Sequence, residues 1–131
     1  MKKIVLVLLL TLTSLMAELQ TVWATPKFLE NKMKIIDIRT APEWKETGIV
    51  KGAYTITFFD ERGNYNTENF LAQLNRVVKK GEKFALICRT GSRTTMVSQF
   101  LANKQGYNVV NLNGGMMKLI QEGYKAVRYK Q

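Results

Sequence analysis

The sequence predicts an α/β fold in which helices cover both faces of a parallel sheet. Two observations carry this. Ile35-Ile36-Asp37-Ile38 and Phe84-Ala85-Leu86-Ile87 are strand-length runs that are apolar nearly throughout, as strands buried on both faces are. Between such runs lie stretches of helical spacing, with Phe70, Leu71, Leu74, Val77 and Val78 on one stripe and Met96, Val97, Phe100 and Leu101 on another.

Taken in order, Leu19 to Trp23 reads as a short first strand, and Thr25-Pro26 as a helix start with proline where its missing donor is harmless. Met33 to Ile38 is a β-branched strand. Thr40-Ala41-Pro42-Glu43 has capping-box spacing, so a short helix begins there, and Gly48 ends it. Ala53 to Phe59 is a further strand, and Asp60 to Asn64 a surface turn. Thr67 is expected to cap the next helix, which Lys79, Lys80 and Gly81 close. Gly106 closes the helix that follows Ser92, Tyr107 to Leu112 forms another strand, and Gly114-Gly115 opens a last helix ending near Gly123.

The chain has 131 residues, enough for one modest core. Met1-Lys2-Lys3, the apolar run from Ile4 to Leu15 and Ala17 before Glu18 have the layout of a secretory signal peptide. The run falls short of the roughly 20 apolar residues that cross a bilayer. Residues 1–17 are therefore expected to be a cleaved signal and residues 18–131 the domain, placed in the periplasm with no stable membrane insertion after cleavage. Without Lys2 and Lys3 the chain has 18 basic against 10 acidic residues, a net charge of +8 that suits an anionic partner. No basic tract interleaved with aromatics is present, which argues against nucleic acid.

The chain contains no histidine, which excludes Ser-His-Asp and Cys-His hydrolases, His-ligated zinc and a histidine general acid. With a single cysteine, Cys88, an internal disulfide and a Cys-x-x-Cys oxidoreductase are excluded as well. The carboxylates form no Asp-x-Asp-x-Asp-Gly loop, and neither a metal nor another cofactor is expected. What remains is chemistry that a thiol performs without a neighbouring base. Cys88 falls where the apolar run ends and a helix begins, at the carboxyl end of a strand, where open parallel sheets bind ligands. Helix N-termini and nearby cations favour the thiolate, which is the nucleophile, and the thiol is expected to be exposed. If Arg89 to Arg93 curl around the sulfur, successive amides form an anion-binding nest, with Gly91 permitting a left-handed turn. Arg89, Thr90, Gly91, Ser92, Arg93 and Thr94 are thus the candidate substrate-binding residues, the two arginines as charge-assisted donors. Asp37 and Arg39, at the end of the preceding strand, read as a supporting ion pair.

These residues together resemble the rhodanese-like domain, the fold of the thiosulfate sulfurtransferases. The likeness runs from Ile35 to Tyr124 and rests on several stretches in order: Ile36-Asp37-Ile38-Arg39 with Glu43-Trp44 behind it, Gly52-Ala53, the Cys88-Arg89-Thr90-Gly91-Ser92-Arg93 loop, Gly106-Tyr107 and Leu112-Asn113-Gly114-Gly115. The resemblance implies a five-stranded parallel sheet between helices. It also implies that Cys88 takes sulfane sulfur from a small anionic donor such as thiosulfate, becomes a persulfide, and passes the sulfur to a thiol, cyanide or a protein acceptor. Two features depart from the family pattern. Gly48 to Ala53 is one residue longer than the usual segment and lacks its His-Ile, and Met116 to Ile120 lacks the tryptophan that often follows the Gly-Gly pair.

Two alternatives belong to other classes. One is a non-catalytic sulfur carrier or partner-binding module. The other is a cysteine-dependent phosphatase or arsenate reductase, which shares the fold. Those enzymes resemble Cys-x5-Arg, whereas here Arg93 follows Cys88 after four intervening residues.

Overall fold

The computed structural model describes residues 17–131. The expected signal segment therefore lies, all but Ala17, outside the described residues. Five strands, β1 (Leu19–Trp23), β2 (Ile35–Asp37), β3 (Tyr54–Thr55), β4 (Phe84–Ile87) and β5 (Val109–Asn113), form one sheet. Its order is β1-β5-β4-β2-β3, and every pairing is parallel. Four helices connect or flank the strands: α1 (Ala41–Thr47), α2 (Thr67–Val77), α3 (Ser92–Asn103) and α4 (Gly115–Gln121).

Alternation along the strands divides the core into two layers. Ile36, Ile38, Phe84, Leu86 and Val109 join Phe70, Leu74, Val97 and Leu101 of α2 and α3 on one face. Ile35, Ala85, Ile87, Val110 and Leu112 join Met116 and Leu119 of α4 on the other. Both faces are buried, which is why β4 shows no polar alternate and why the one charged residue of β2, Asp37, is itself buried; burying one such aliphatic side chain contributes about 1.5–3 kcal/mol.

Several boundaries differ from the sequence reading. The segment after Thr25-Pro26 is a single 3-10 turn, Phe28–Asn31, closed by left-handed Lys32, not a full helix. The Ala53–Phe59 strand is reduced to Tyr54–Thr55, although Ile56 and Phe58 still donate to the Asp37 and Ile38 carbonyls. This is an edge strand, and the chain turns away at Phe59 into the loop that Asp60 folds by accepting from the amides of Arg62 and Asn64. Asn66, not Thr67, caps α2; its side chain accepts from the Asn69 amide. Asn caps as well as Thr does, so the adjacent pair was ambiguous by one position. Helix α3 ends at Asn103, before the positive-φ Gly106.

Candidate active site

Strand β4 delivers Cys88 to the carboxyl end of the sheet, between the ends of β5 and β2. The chain then turns at Gly91, the left-handed N-cap of α3 with φ of 100°. That turn aims the Gly91 N–H back at Cys88 Sγ, at 3.2 Å. The Thr94 hydroxyl lies 3.6 Å from the same sulfur and also donates to the Gly91 carbonyl at 3.2 Å. Thr95 donates to that carbonyl too, from its amide at 3.0 Å and its hydroxyl at 2.7 Å, so the first turn of α3 is pinned to the loop.

A second glycine loop supports the first from behind. Gly114-Gly115, at the end of β5, lets the start of α4 lie against the cysteine loop so closely that a Cβ on Gly115 would stand 2.5 Å from the Cys88 carbonyl oxygen and 2.6 Å from that of Arg89. Those two carbonyls accept from the amides of Met116 at 2.9 Å and Met117 at 3.0 Å. Gly91 meets the same loop, since a Cβ there would be 3.0 Å from the Gly114 nitrogen. The pair of glycines therefore does more than open a helix. It is the floor on which the Cys88 loop rests.

Cys88 is only 1% exposed and belongs to the α2–α3 core layer, which corrects the expectation of an exposed thiol. Its sulfur is nevertheless not left to hydrocarbon: the loop folds over it, with an amide and a hydroxyl as polar neighbours. Of the expected nest, the Gly91 amide is the one that reaches the sulfur at hydrogen-bond distance among the described residues. Arg89, Thr90 and Ser92 are exposed on the rim, where the Thr90 and Ser92 hydroxyls are 3.3 Å apart.

Arg93 is placed differently from the free anion donor expected. Its Nη1 and Nη2 both donate to Glu43, at 2.7 Å each, in a bidentate ion pair. Glu43 reaches it from the first turn of α1, where its Oε1 also accepts from the Thr40 amide and hydroxyl. The Arg93 hydrogen bonds, opposed by burial, hold the Glu43 carboxyl down to about 2 from its ordinary 4.5. Reciprocally, Glu43 first of all holds the guanidinium more firmly protonated, with smaller contributions from the charges of Cys88 and Asp37. Sequence reasoning placed Glu43 in a capping box but missed its partner 50 residues away; the visible signal was a capping carboxylate with one oxygen to spare.

Asp37 and Arg39 do form an ion pair, fully buried, with Arg39 Nε and Nη2 donating to the two carboxylate oxygens at 3.0 and 2.8 Å. The same guanidinium donates to the Gly48 carbonyl at 2.9 Å and the Thr47 hydroxyl at 2.7 Å, tying the end of α1 to the end of β2. These bonds fix α1, and so indirectly Glu43. Among the described residues no three His, Cys, Asp or Glu side chains converge as metal ligands.

The family model for the rhodanese-like domain matches residues 23–122, a stretch that includes the Cys88 loop and both glycine turns that hold it. The chain belongs to this family. It is 32% identical over 90 residues to the uncharacterized protein RP600 of Rickettsia prowazekii (strain Madrid E), covering 66% of this chain and 72% of that one. Among solved structures it is similar to a rhodanese-like domain protein from Staphylococcus aureus, with 24% identity, a TM-score of 0.61, and coverage of 86% of this chain and 99% of that one. It is also similar to SSP1007 from Staphylococcus saprophyticus subsp. saprophyticus, with 31% identity, a TM-score of 0.57, and coverage of 77% and 95%. The rhodanese-like fold, a family with sulfurtransferase members, is thereby settled.

Proposed function

We propose that this rhodanese-like protein is a sulfurtransferase with Cys88 as nucleophile and sulfur carrier. The observation that carries the reading is the Gly91 amide aimed at Sγ in a loop held by α3 and α4. In the first half-reaction the Cys88 thiolate attacks the outer sulfur of thiosulfate. A new S–S bond forms, the sulfur–sulfonate bond breaks, and sulfite departs with the electron pair. The resulting persulfide anion keeps one negative charge, now on the outer sulfur, where the amides of the loop stabilise it as the Gly91 N–H stabilises the thiolate on Sγ. In the second, a cyanide carbon or an acceptor thiolate attacks the outer sulfur, and the Cys88 thiolate leaves unchanged. The loop amides and Arg89 receive the anionic donor, with Ser92, Thr90 and Thr94 lining the loop.

Thiosulfate suits this rim better than a phosphoester does. The arginine spacing after Cys88 is one residue short of the phosphatase cup, and Arg93 is already engaged by Glu43. The basic, apolar and small-residue order of residues 1–17 supports export to the periplasm, where the acceptor would be met. Steady-state turnover of thiosulfate with cyanide tests the reading. Thiocyanate production that disappears in Cys88→Ser is expected. A protein that takes up sulfur but does not release it to cyanide or a small thiol would instead be a carrier, and faster hydrolysis of an aryl phosphate would reverse the assignment.

A further inference from the structure

We propose that Glu43 is a positioning residue that restrains Arg93, so that the cation at the start of α3 acts with its charge compensated and is withheld from the incoming anion. Both terminal nitrogens of Arg93 are spent on the two Glu43 oxygens at 2.7 Å. Glu43 is itself fixed from two sides: its Oε1 takes the Thr40 amide and hydroxyl, and its helix is fastened to β2 through Arg39. Arg93 occupies the second position of α3, one residue before Thr94, whose hydroxyl lies beside Sγ. The pair is thereby held at the first turn of α3, within electrostatic reach of Cys88, as a near-neutral unit. Recognition of a negative donor falls on Arg89, the exposed rim cation without an ion pair among the described residues, and on the loop amides.

A pair of this kind makes a prediction of sign that an ordinary stabilising contact does not. Removing the carboxylate leaves a net positive charge beside Cys88, and removing the guanidinium leaves a net negative one. The two single changes should thus push anion access in opposite directions, and the double change should nearly cancel. A contact that mattered only for packing would impair both single variants alike. The inference rests on the sulfurtransferase reading only for its consequence at thiosulfate; the field at the sulfur can be measured without it.

Cys88 is the chain's single cysteine, so alkylation reports on it alone. The measurement is the ratio of its alkylation rates with iodoacetate, an anion, and iodoacetamide, which is neutral. The fraction of thiolate cancels in this ratio, leaving the local charge. For one unit charge roughly 7 Å away at an effective dielectric constant of about 40, Coulomb's law gives about a sevenfold change. Glu43→Gln is expected to raise the ratio by about threefold to tenfold and Arg93→Ala to lower it by a similar factor. Glu43→Asp, which keeps the carboxylate, and Glu43→Gln combined with Arg93→Ala should both stay within about twofold of the wild-type ratio. Glu43→Ala provides a second carboxylate-free variant where Glu43→Gln folds poorly. An unchanged ratio in both carboxylate-free variants, a shift of the same sign in both classes of single variant, or failure of either reagent to label native wild-type protein overturns the proposal. If the ratios behave as expected but no variant loads sulfur from thiosulfate, the ion pair's role stands and the sulfurtransferase reading falls.

Discussion

Replacing Gly115 by alanine tests whether the second glycine loop truly holds the Cys88 loop in place. The added Cβ would sit 2.5 Å from the Cys88 carbonyl oxygen, 2.6 Å from the Arg89 oxygen and 2.7 Å from the Arg89 carbonyl carbon, all of them backbone atoms that cannot rotate away. Restoring a contact of about 3.4 Å requires the two loops to part by roughly 0.9 Å. That movement stretches both bonds from the Met116 and Met117 amides, each worth about 0.5–1.5 kcal/mol. Alanine at the φ of 57° found here adds about 1–2 kcal/mol of backbone strain. The sum is a destabilisation of about 2–5 kcal/mol. Gly63→Ala is the control: its φ is 81°, but nothing lies within 4 Å, so only the strain remains, about 1–2 kcal/mol. Urea unfolding of both variants gives the stability difference. Under conditions where Gly115→Ala is folded, an ångström-scale misplacement of the nucleophile should slow sulfur loading by roughly a hundredfold. A Gly115→Ala protein as stable as Gly63→Ala and loading at the wild-type rate would refute the reasoning.

Three further outcomes follow from named contacts. The Glu43 carboxyl titrates near 2 when folded against an ordinary 4.5, so its contribution is fully present above about pH 4.5 and is lost as pH falls toward 2. Comparing the acid unfolding of wild type and Glu43→Gln should show the variant less stable by about 1–3 kcal/mol near neutral pH, with the gap closing across that window; a constant gap would exclude the ion pair as its source. Asp37→Asn leaves the Arg39 guanidinium, 1% exposed, without its counter-charge and should cost about 3–5 kcal/mol in chemical denaturation, whereas a loss under 1 kcal/mol would show the pair to be dispensable. Asn66→Ala removes the acceptor for the Asn69 amide and should lower stability by about 1 kcal/mol, and an unchanged midpoint would return the capping role to Thr67.

The sequence displayed its layers more clearly than its contacts. Ile36 and Leu86 are legible as interior because continuous apolar runs of strand length have few other uses, and Cys88 is legible as chemical because an apolar strand breaks there into Arg-Thr-Gly-Ser-Arg. The capping box at Thr40 and the stop at Gly48 are local, and both are found where their spacing puts them. Long-range relations were out of reach. The Glu43–Arg93 pair depends on β2 and β4 being neighbours, which no local pattern states. Gly115 looked like a helix opener because its close approach to Cys88 belongs to β5 lying beside β4. The polar loop suggested an open thiol, but that loop folds its glycine back over the sulfur and covers it. Edge strand β3 was read too long, since side-chain preference continues through Phe59 after the ladder has ended.

Sulfur transfer of the kind proposed requires that Cys88 Sγ accept a second sulfur atom. The direct measurement is the intact mass of the protein after incubation with thiosulfate and removal of small molecules, beside Cys88→Ser treated identically. A gain of one sulfur atom in the wild-type chain, reversed by cyanide and absent in the variant, is the expected result; an unchanged wild-type mass, or an equal gain in Cys88→Ser, would contradict it.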